Sequence, residues 1–391
     1  MEMPSFQYAA PALRLYHGPD SLGHLGRELD RLGSRRAVIF CGDWLVEQQG
    51  ALLDLVRQAM GERFGGIYSG VLGHSPVASV EEAAAYLKQV GADAAIALGG
   101  GSAIVTARAA SILHAEGRPA RELCTTQDAN GALKSPKLLA PKVPQLLVPT
   151  TPTTAMVKAG SAVFDPATGE RLALFDPKTR TGSVFIHPDL IGSAPRSLVV
   201  SASINTLSMA IEGLVSRTGN PMADALLMHA LRLIAGHLAR PDNLDDPRVR
   251  GELLLAAILC GQGTDHTAAG VTTVLGHAVG ARFHTENGLV NAIVLPQVLR
   301  FNGDTAQAGM DKVATALGLP ARGAGAFHSV ADYLAALFSG LGIPARLRDV
   351  HVPADQLADV AALGMTDWFL RGNPRPVREA SELLQVLQAA W

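Results

Sequence analysis

A wholly apolar stretch, Ala94 to Leu98, runs without a polar break into Gly99-Gly100-Gly101-Ser102, and a helical pattern follows from Ala103 to Ala115. A short strand with no polar alternation suits a sheet covered on both faces. The first half of the chain repeats this theme. Ala37 to Cys41 reads as a strand, Leu45 to Met60 as a helix, Val80 to Val90 as a helix closed by Gly91, and Gln145 to Pro149 as a strand. Strands alternating with helices predict a parallel sheet with helical crossovers. The segment Gly160 to Phe175, turning around Asp165-Pro166-Ala167-Thr168-Gly169, reads as a hairpin.

After His187-Pro188-Asp189-Leu190 the strand signals nearly vanish. Helical periods follow over Ser201–Arg217, Pro221–Leu238, Val249–Gln262, Gly270–His284, Leu289–Phe301, Ala306–Leu317, Ser329–Gly340 and Glu379–Ala390, separated by Pro and Gly breaks. A chain of 391 residues is long enough for two domains. The expected fold class is a Rossmann-like α/β domain over residues 1–190, followed by an all-helical domain over 191–391.

Apolar residues make up 48% and charged residues 17%, which excludes a disordered chain. A formal net charge of -2 gives no electrostatic reason to expect nucleic acid or an anionic membrane as partner. Cys41, Cys124 and Cys260 are scattered and odd in number, which argues for a reducing compartment and against a thiolate metal site. The opening residues 1–18 lack the pattern of a signal peptide, and no uncharged apolar run of about 18 residues suggests a membrane span. A cytoplasmic location is expected.

Two loops have ligand-binding character. Gly99-Gly100-Gly101-Ser102 opens a helix, where free N–H groups and the positive dipole end form an anion site; a tight strand-to-helix turn explains the same residues. Pro149-Thr150-Thr151-Pro152-Thr153-Thr154 follows the next strand, where open α/β sheets bind ligands; a capped polar loop is the alternative. The two loops in this order strengthen each other.

The segments GADAAIALGGGSAIVTARAA, VPTTPTTAMVKAGSAVFDPATGERLALFDP, VFIHPDLIGSAP, SINTLSMAIEGLVSRTGNPMADALLMHALRLI and LGHAVGARFHTENGLVNAIVLPQVLRFN, in this order, resemble the iron-containing alcohol dehydrogenase superfamily, with some likeness to maleylacetate reductases. The resemblance covers nearly the whole chain. It implies a dehydroquinate synthase-like fold, an active site in the cleft between the two domains, a small-molecule substrate, an NAD(P)H cofactor and a homodimer formed through the N-terminal strands. It also implies that Gly99, Gly100, Gly101 and Ser102 cradle the pyrophosphate, and that Thr150, Thr151 and Thr154 line the nucleotide. Arg171 stands where the family often has a cofactor-side lysine. Gly42 falls near the family's ribose-binding acid. Its missing carboxylate permits NADP(H), while Asp43 beside it could serve NAD(H), so the choice stays open.

The same resemblance points to an emptied metal site. The family's first two ligands, an aspartate and a histidine four residues on, become Asn205 and Met209; the third and fourth become Thr273 and Asn287. Neutral amides, a hydroxyl and a thioether supply no charge and little affinity for a divalent ion, so no metal is expected here. Asp265, His266 and His284 lie nearby in sequence, but their spacing fits no standard ligand set, and hydrogen-bonded or solvent-facing roles are expected. The losses reach the nucleotide side: Val105 replaces an acid, and residues 152–157 lack two glycines, a serine and a glutamate of the family pattern. Lys178 and Arg180 read as solvated surface.

His277 is the family cleft histidine that remains, and its chemistry suits proton transfer; a helix histidine bonded to a neighbouring carbonyl is the plainer reading. Asn205, Thr273 and Asn287 would offer neutral donors to a substrate oxygen. Three functions stay open: a metal-independent NAD(P)H-dependent reductase of a carbonyl or activated alkene, a non-redox enzyme (lyase, cyclase or isomerase) using His277 as acid and base, and a non-catalytic binding subunit.

Overall fold

The computed structural model describes residues 5–128, 132–319 and 325–391; the first four residues of the opening segment fall outside this set. The chain divides into two compact units, one made of Pro11–Ala194 and the other of Pro195–Trp391 together with residues 5–10. The break therefore follows Ala194, just beyond the point where strand patterning stops. Residues 5–10 join the helical unit through Tyr8, whose ring lies 4.4 Å from that of His266, and through Ala9, whose carbonyl contacts His266 Nε2 at 3.2 Å.

In the α/β unit the strands are β1 (Arg14–His17), β2 (Ala37–Phe40), β3 (Phe64–Tyr68), β4 (Ala94–Gly99), the short pair β5 (Thr126–Gln127) and β6 (Leu133–Lys134), β7 (Gln145–Pro149), the hairpin β8 (Gly160–Asp165) and β9 (Glu170–Phe175), and β10 (Ser183–Ile186). Six of them form one sheet in the order β1-β10-β7-β4-β2-β3, every neighbouring pair parallel. Its helices are α1 (Leu25–Arg31), α2 (Asp43–Gln48), α3 (Gly50–Met60), α4 (Val77–Val90), α5 (Gly101–Glu116), α6 (Ala120–Leu123) and α7 (Pro188–Gly192). Ile39, Ile96, Leu98, Leu146, Val148 and Phe185 project into a core shared with Leu25, Leu29, Val56 and Met60 of α1 and α3. Covering both faces is what lets β4 and β7 be buried at every position.

Two local differences from the sequence expectation have physical causes. The helix expected over Leu45–Met60 is two, because Gln49 leaves helical geometry (φ −132°, ψ 38°) just before Gly50, a poor helix former. Strand β3 carries Gly65 and Gly66, the latter at φ +146°, and its register against β2 shifts beside Ala37. Glycines and a bulge hide a strand from pattern reading.

The helical unit consists of α8 (Arg196–Val215), α9 (Pro221–Leu238), α10 (Pro247–Gly263), α11 (Val271–Phe283), α12 (Asn287–Asn302), α13 (Gln307–Leu317), α14 (Gly325–Gly340), α15 (Leu357–Gly364) and α16 (Ala380–Ala390). Among the described residues, α8 alone is long and apolar enough to cross a membrane, yet 78% of its apolar window is buried within the fold, as a core helix is. Val274, Val290, Val294, Leu357, Leu383 and Leu387 of α11, α12, α15 and α16 share one core. Close approach between helices is bought with glycine. A Cβ at Gly288 of α12 would collide with the Ser201 carbonyl of α8, and one at Gly276 or Gly280 of α11 would meet the side chains of Asn291 or Asn287 of α12.

Candidate active site

Three turns leave the same edge of the parallel sheet, at the C-terminal ends of the neighbouring strands β2, β4 and β7. Strand order reverses between β2 and β4: β3 lies on one side, while β7 and β10 follow on the other. Beyond the strand ends at such a reversal is where sheets of this kind bind ligands. After β2, Gly42 caps α2 in extended geometry and Asp43 begins the helix, exposed. After β4, Gly99 sits at φ +143°, a conformation reserved for glycine, and α5 begins at Gly101 with no side chain capping it. A Cβ on Gly100 would stand 2.8 Å from the Thr151 hydroxyl, so a side chain there would force Thr151 to shift. After β7, the Thr150 N–H donates to the Gly99 carbonyl at 3.0 Å, which ties the two loops together. Thr150, Thr151 and Thr154 are buried, and Ser102 is partly so. Arg171 is half-buried on β9 and paired in register with Phe164.

In the helical unit, α8, α11 and α12 meet around a polar cluster. The amide of Asn205 on α8 lies 3.0 Å from that of Asn291 on α12, and its nitrogen approaches the Met209 sulfur at 3.8 Å. With the Asn291 amide turned to satisfy its neighbours, its nitrogen donates to the carbonyls of Thr272 and Asn287, each at 3.1 Å. Thr273 of α11 donates its hydroxyl to Glu212 Oε2 at 2.5 Å, and the other glutamate oxygen accepts the N–H groups of Thr272 at 2.7 Å and Thr273 at 3.2 Å. Burial pushes the Glu212 carboxyl above the usual glutamate range, against these donors. Asn287 stands partly exposed at the start of α12, with its side-chain oxygen over Gly280.

His277 stands midway along α11. Its Nδ1 lies 2.8 Å from Asp367 Oδ2, and the two side chains are 21% and 17% exposed. Asp367 precedes a 3-10 turn, Trp368–Gly372, and its other oxygen accepts the Phe369 N–H at 3.0 Å. The Phe369 ring leans on the imidazole with centroids 5.8 Å apart. Asp367 escaped the sequence reading, since nothing in sequence links it to a histidine 90 positions away.

A family model described as iron-containing alcohol dehydrogenase matches residues 11–188, and its companion, the C-terminal part of the Fe-containing alcohol dehydrogenase family, matches residues 199–391. The chain belongs to the iron-containing alcohol dehydrogenase family. It is 29% identical to the lactaldehyde reductase of Escherichia coli K12 over 96% of this chain and 97% of that protein. It is 28% identical to a maleylacetate reductase of Sphingobium indicum over 98% and 97%. The solved sulfoacetaldehyde reductase of Bifidobacterium kashiwanohense, in complex with NAD+, shares the fold with a TM-score of 0.85 at 18% identity, covering 99% of each chain.

As a member of this oxidoreductase family, the chain departs from the pattern at the ligand positions. The Thr273 hydroxyl is already bonded to Glu212, and the Asn205 amide faces Asn291 and Met209. Such neutral, already engaged groups do not fit a divalent cation. Among the described residues, no three His, Cys, Asp or Glu side chains gather as a metal group. His266 binds Ala9, and His284 ends α11 in the left-handed region at φ 53°. The nucleotide side departs too. Arg108, fully buried on α5, donates to the carbonyls of Ala155 at 2.6 Å and Gly160 at 2.8 Å, and Arg180 donates to that of Val157 at 2.5 Å. Burial, then the nearby charge of Arg180, brings the Arg108 guanidinium down to about 9. Lys178 is exposed as expected, whereas the expectation of solvated surface is corrected for Arg180, which is only partly exposed. Arg180 braces the 154–160 segment from within, and Lys178 reaches the Leu138 carbonyl at 2.7 Å and Asp176 at 3.2 Å.

Proposed function

We propose that this chain is a metal-independent, NAD(P)H-dependent reductase of a small carbonyl or activated alkene, with His277 as the proton donor. The observation that carries the redox reading is the set of three turns at the reversal of strand order. There Gly99 holds a backbone conformation that side chains rarely adopt, a Cβ on Gly100 would crowd the Thr151 hydroxyl, and α5 presents uncapped N–H groups suited to a pyrophosphate. Gly101, Ser102, Thr150, Thr151 and Thr154 would complete that cradle, with Gly42 and Asp43 at the ribose and Arg171 on the cofactor side. Bound there, a reduced nicotinamide supplies a hydride to the substrate carbon.

The chain's own residues do the rest. His277 gives a proton to the oxygen that gains charge, so hydride plus proton turn the carbonyl into an alcohol. The amides of Asn205 and Asn287 offer neutral donors to that oxygen in place of a Lewis acid. Thr273 serves indirectly, since its hydroxyl proton goes to Glu212. Metal independence rests on the neutrality of Asn205, Met209, Thr273 and Asn287 and on the bonds three of them already make. A homodimer through the edge strand β1 belongs to the same proposal, and sedimentation tests it.

One observation favours the non-redox alternative. Met156 and Val157 bury apolar side chains where the family pattern has polar ones, and the arginines Arg108 and Arg180 rather than a carboxylate hold that segment. Titration of metal-stripped protein with NADH and NADPH, followed by fluorescence, separates the readings. Binding of either, with reduction of lactaldehyde or maleylacetate that survives chelation and is lost in His277→Gln, is expected. Failure to bind both would end the reductase reading in favour of His277 acid-base chemistry without redox. Tight iron or zinc binding, abolished by Asn205→Ala, would refute metal independence.

A further inference from the structure

We infer that Asp367 is the positioning residue for His277: it fixes which ring nitrogen carries the permanent proton, so that proton exchange with substrate runs through Nε2. The inference rests on the reading of His277 as proton donor and adds a residue to it.

The geometry is that of a carboxylate holding an imidazole. A carboxylate oxygen 2.8 Å from Nδ1 accepts its proton, which selects the tautomer with Nδ1–H and leaves Nε2 as the nitrogen that gains and loses a proton. The same carboxylate offsets the charge of the doubly protonated ring, the form a proton donor must reach before each turnover. Both groups are mostly withdrawn from water, where a charged hydrogen bond is strongest.

Asp367 is itself held on several sides. Its second oxygen caps the following turn at Phe369 N–H, and its own N–H donates to the Gly364 carbonyl at 3.2 Å. Six residues on, Asn373 is buried and anchors the segment. It exchanges amide bonds with Asn302 at 2.7 and 3.3 Å, and its side-chain oxygen accepts the Val271 N–H at 3.3 Å. Gly372 between them packs so tightly on Ala268 and Ala269 that any Cβ would collide. The segment is thus fastened to the start of α11, the helix that bears His277. A carboxylate needed only to cap a short surface turn would not require this registry with the histidine's own helix.

The test joins a spectroscopic and a kinetic arm. In 15N NMR of the full chain, with His277 assigned by loss of its signals in His277→Gln, the neutral ring is expected as the Nδ1–H tautomer. In Asp367→Asn, which keeps an oxygen for the Phe369 cap, the ring is expected to move to the Nε2–H form. With lactaldehyde as probe, kcat should fall roughly 10- to 100-fold while KM moves less than about twofold, a fraction of what general acid catalysis contributes. Asp367→Glu should recover part of the loss. An Nε2–H tautomer in the wild-type chain, readable even if the variants fail to fold, overturns the assignment, as does an Asp367→Asn chain with unchanged tautomer and kcat. Full activity in His277→Gln would instead overturn the proton-donor reading, leaving the tautomer to judge Asp367 alone.

Discussion

The carboxylate of Glu212 accepts the hydroxyl proton of Thr273 across 2.5 Å, at a place where the glutamate is only 5% exposed. The same carboxylate takes two N–H groups from the first turn of α11, so it serves as the cap of the helix that carries His277. Burial raises its carboxyl above the ordinary value of 4.5, so ionisation costs more in the folded chain than in the unfolded one. The stability linked to this group is fully present below pH 4.5 and is lost as pH rises through the raised folded value. Glu212→Gln should therefore gain on the wild type as pH rises through that window. Urea unfolding from pH 4.5 upward checks it, and parallel stability curves for the two chains would sink it.

Gly288→Ala should be among the costliest single substitutions in the helical unit. Its Cβ would run into the Ser201 carbonyl, which belongs to backbone and cannot swing away. A loss of about 3 kcal/mol is expected, at the upper end of overpacking costs. Gly236 on α9 is the control, since nothing lies within 4 Å of a Cβ there, and Gly236→Ala should gain about 0.5–1 kcal/mol. Equal melting temperatures for the two variants would contradict the packing described for α8 and α12.

Arg108→Met should loosen the 154–160 segment. It leaves the partly buried carbonyls of Ala155 and Gly160 without their donor. Two such orphaned groups cost roughly 2–4 kcal/mol. Because Thr150, Thr151 and Thr154 lead into this segment, NADPH affinity should weaken along with the melting temperature. A variant that melts lower yet binds NADPH unchanged would separate Arg108 from the cofactor loop.

Ferrous iron or zinc in excess should leave the wild-type melting temperature where it is, because a ligand stabilises a fold only in proportion to its binding. Asn205→Asp should destabilise the chain by about 1–3 kcal/mol, since neither Met209 nor Asn291 offers a counter-charge to a half-buried carboxylate. Calorimetry with and without each metal reads both. A several-degree rise for the wild type would favour a working metal site.

Much of the fold was legible because local chemistry and tertiary demand agree. Helix α9 runs over Pro221–Leu238 as expected, since Asn220 accepts the N–H groups of Met222 and Ala223 and Pro221 presets the first turn. Strand β7 also keeps its expected ends, being buried throughout with an apolar centre of Leu146, Leu147 and Val148. Strand β1 was silent because its four residues at the sheet's edge, Arg14 to His17, are mostly polar and exposed. At the site, the glycines and threonines could be read from their order, while Asp367 and the partners of Arg180 could not. Those contacts join residues distant in sequence, and only packing brings them together.

The sheet's strand order has a consequence for how the chain is made. Among the described residues, Arg14 to His17 pair only with Ser183 to Ile186, so the first strand of this sheet to be made is the last to find its place. Until residue 186 emerges, β1 waits as an unpaired, partly apolar segment, and loop closure over that length slows its docking. The α/β unit is thus closed by its two ends, and translation of everything between β1 and β10 precedes the step that completes it.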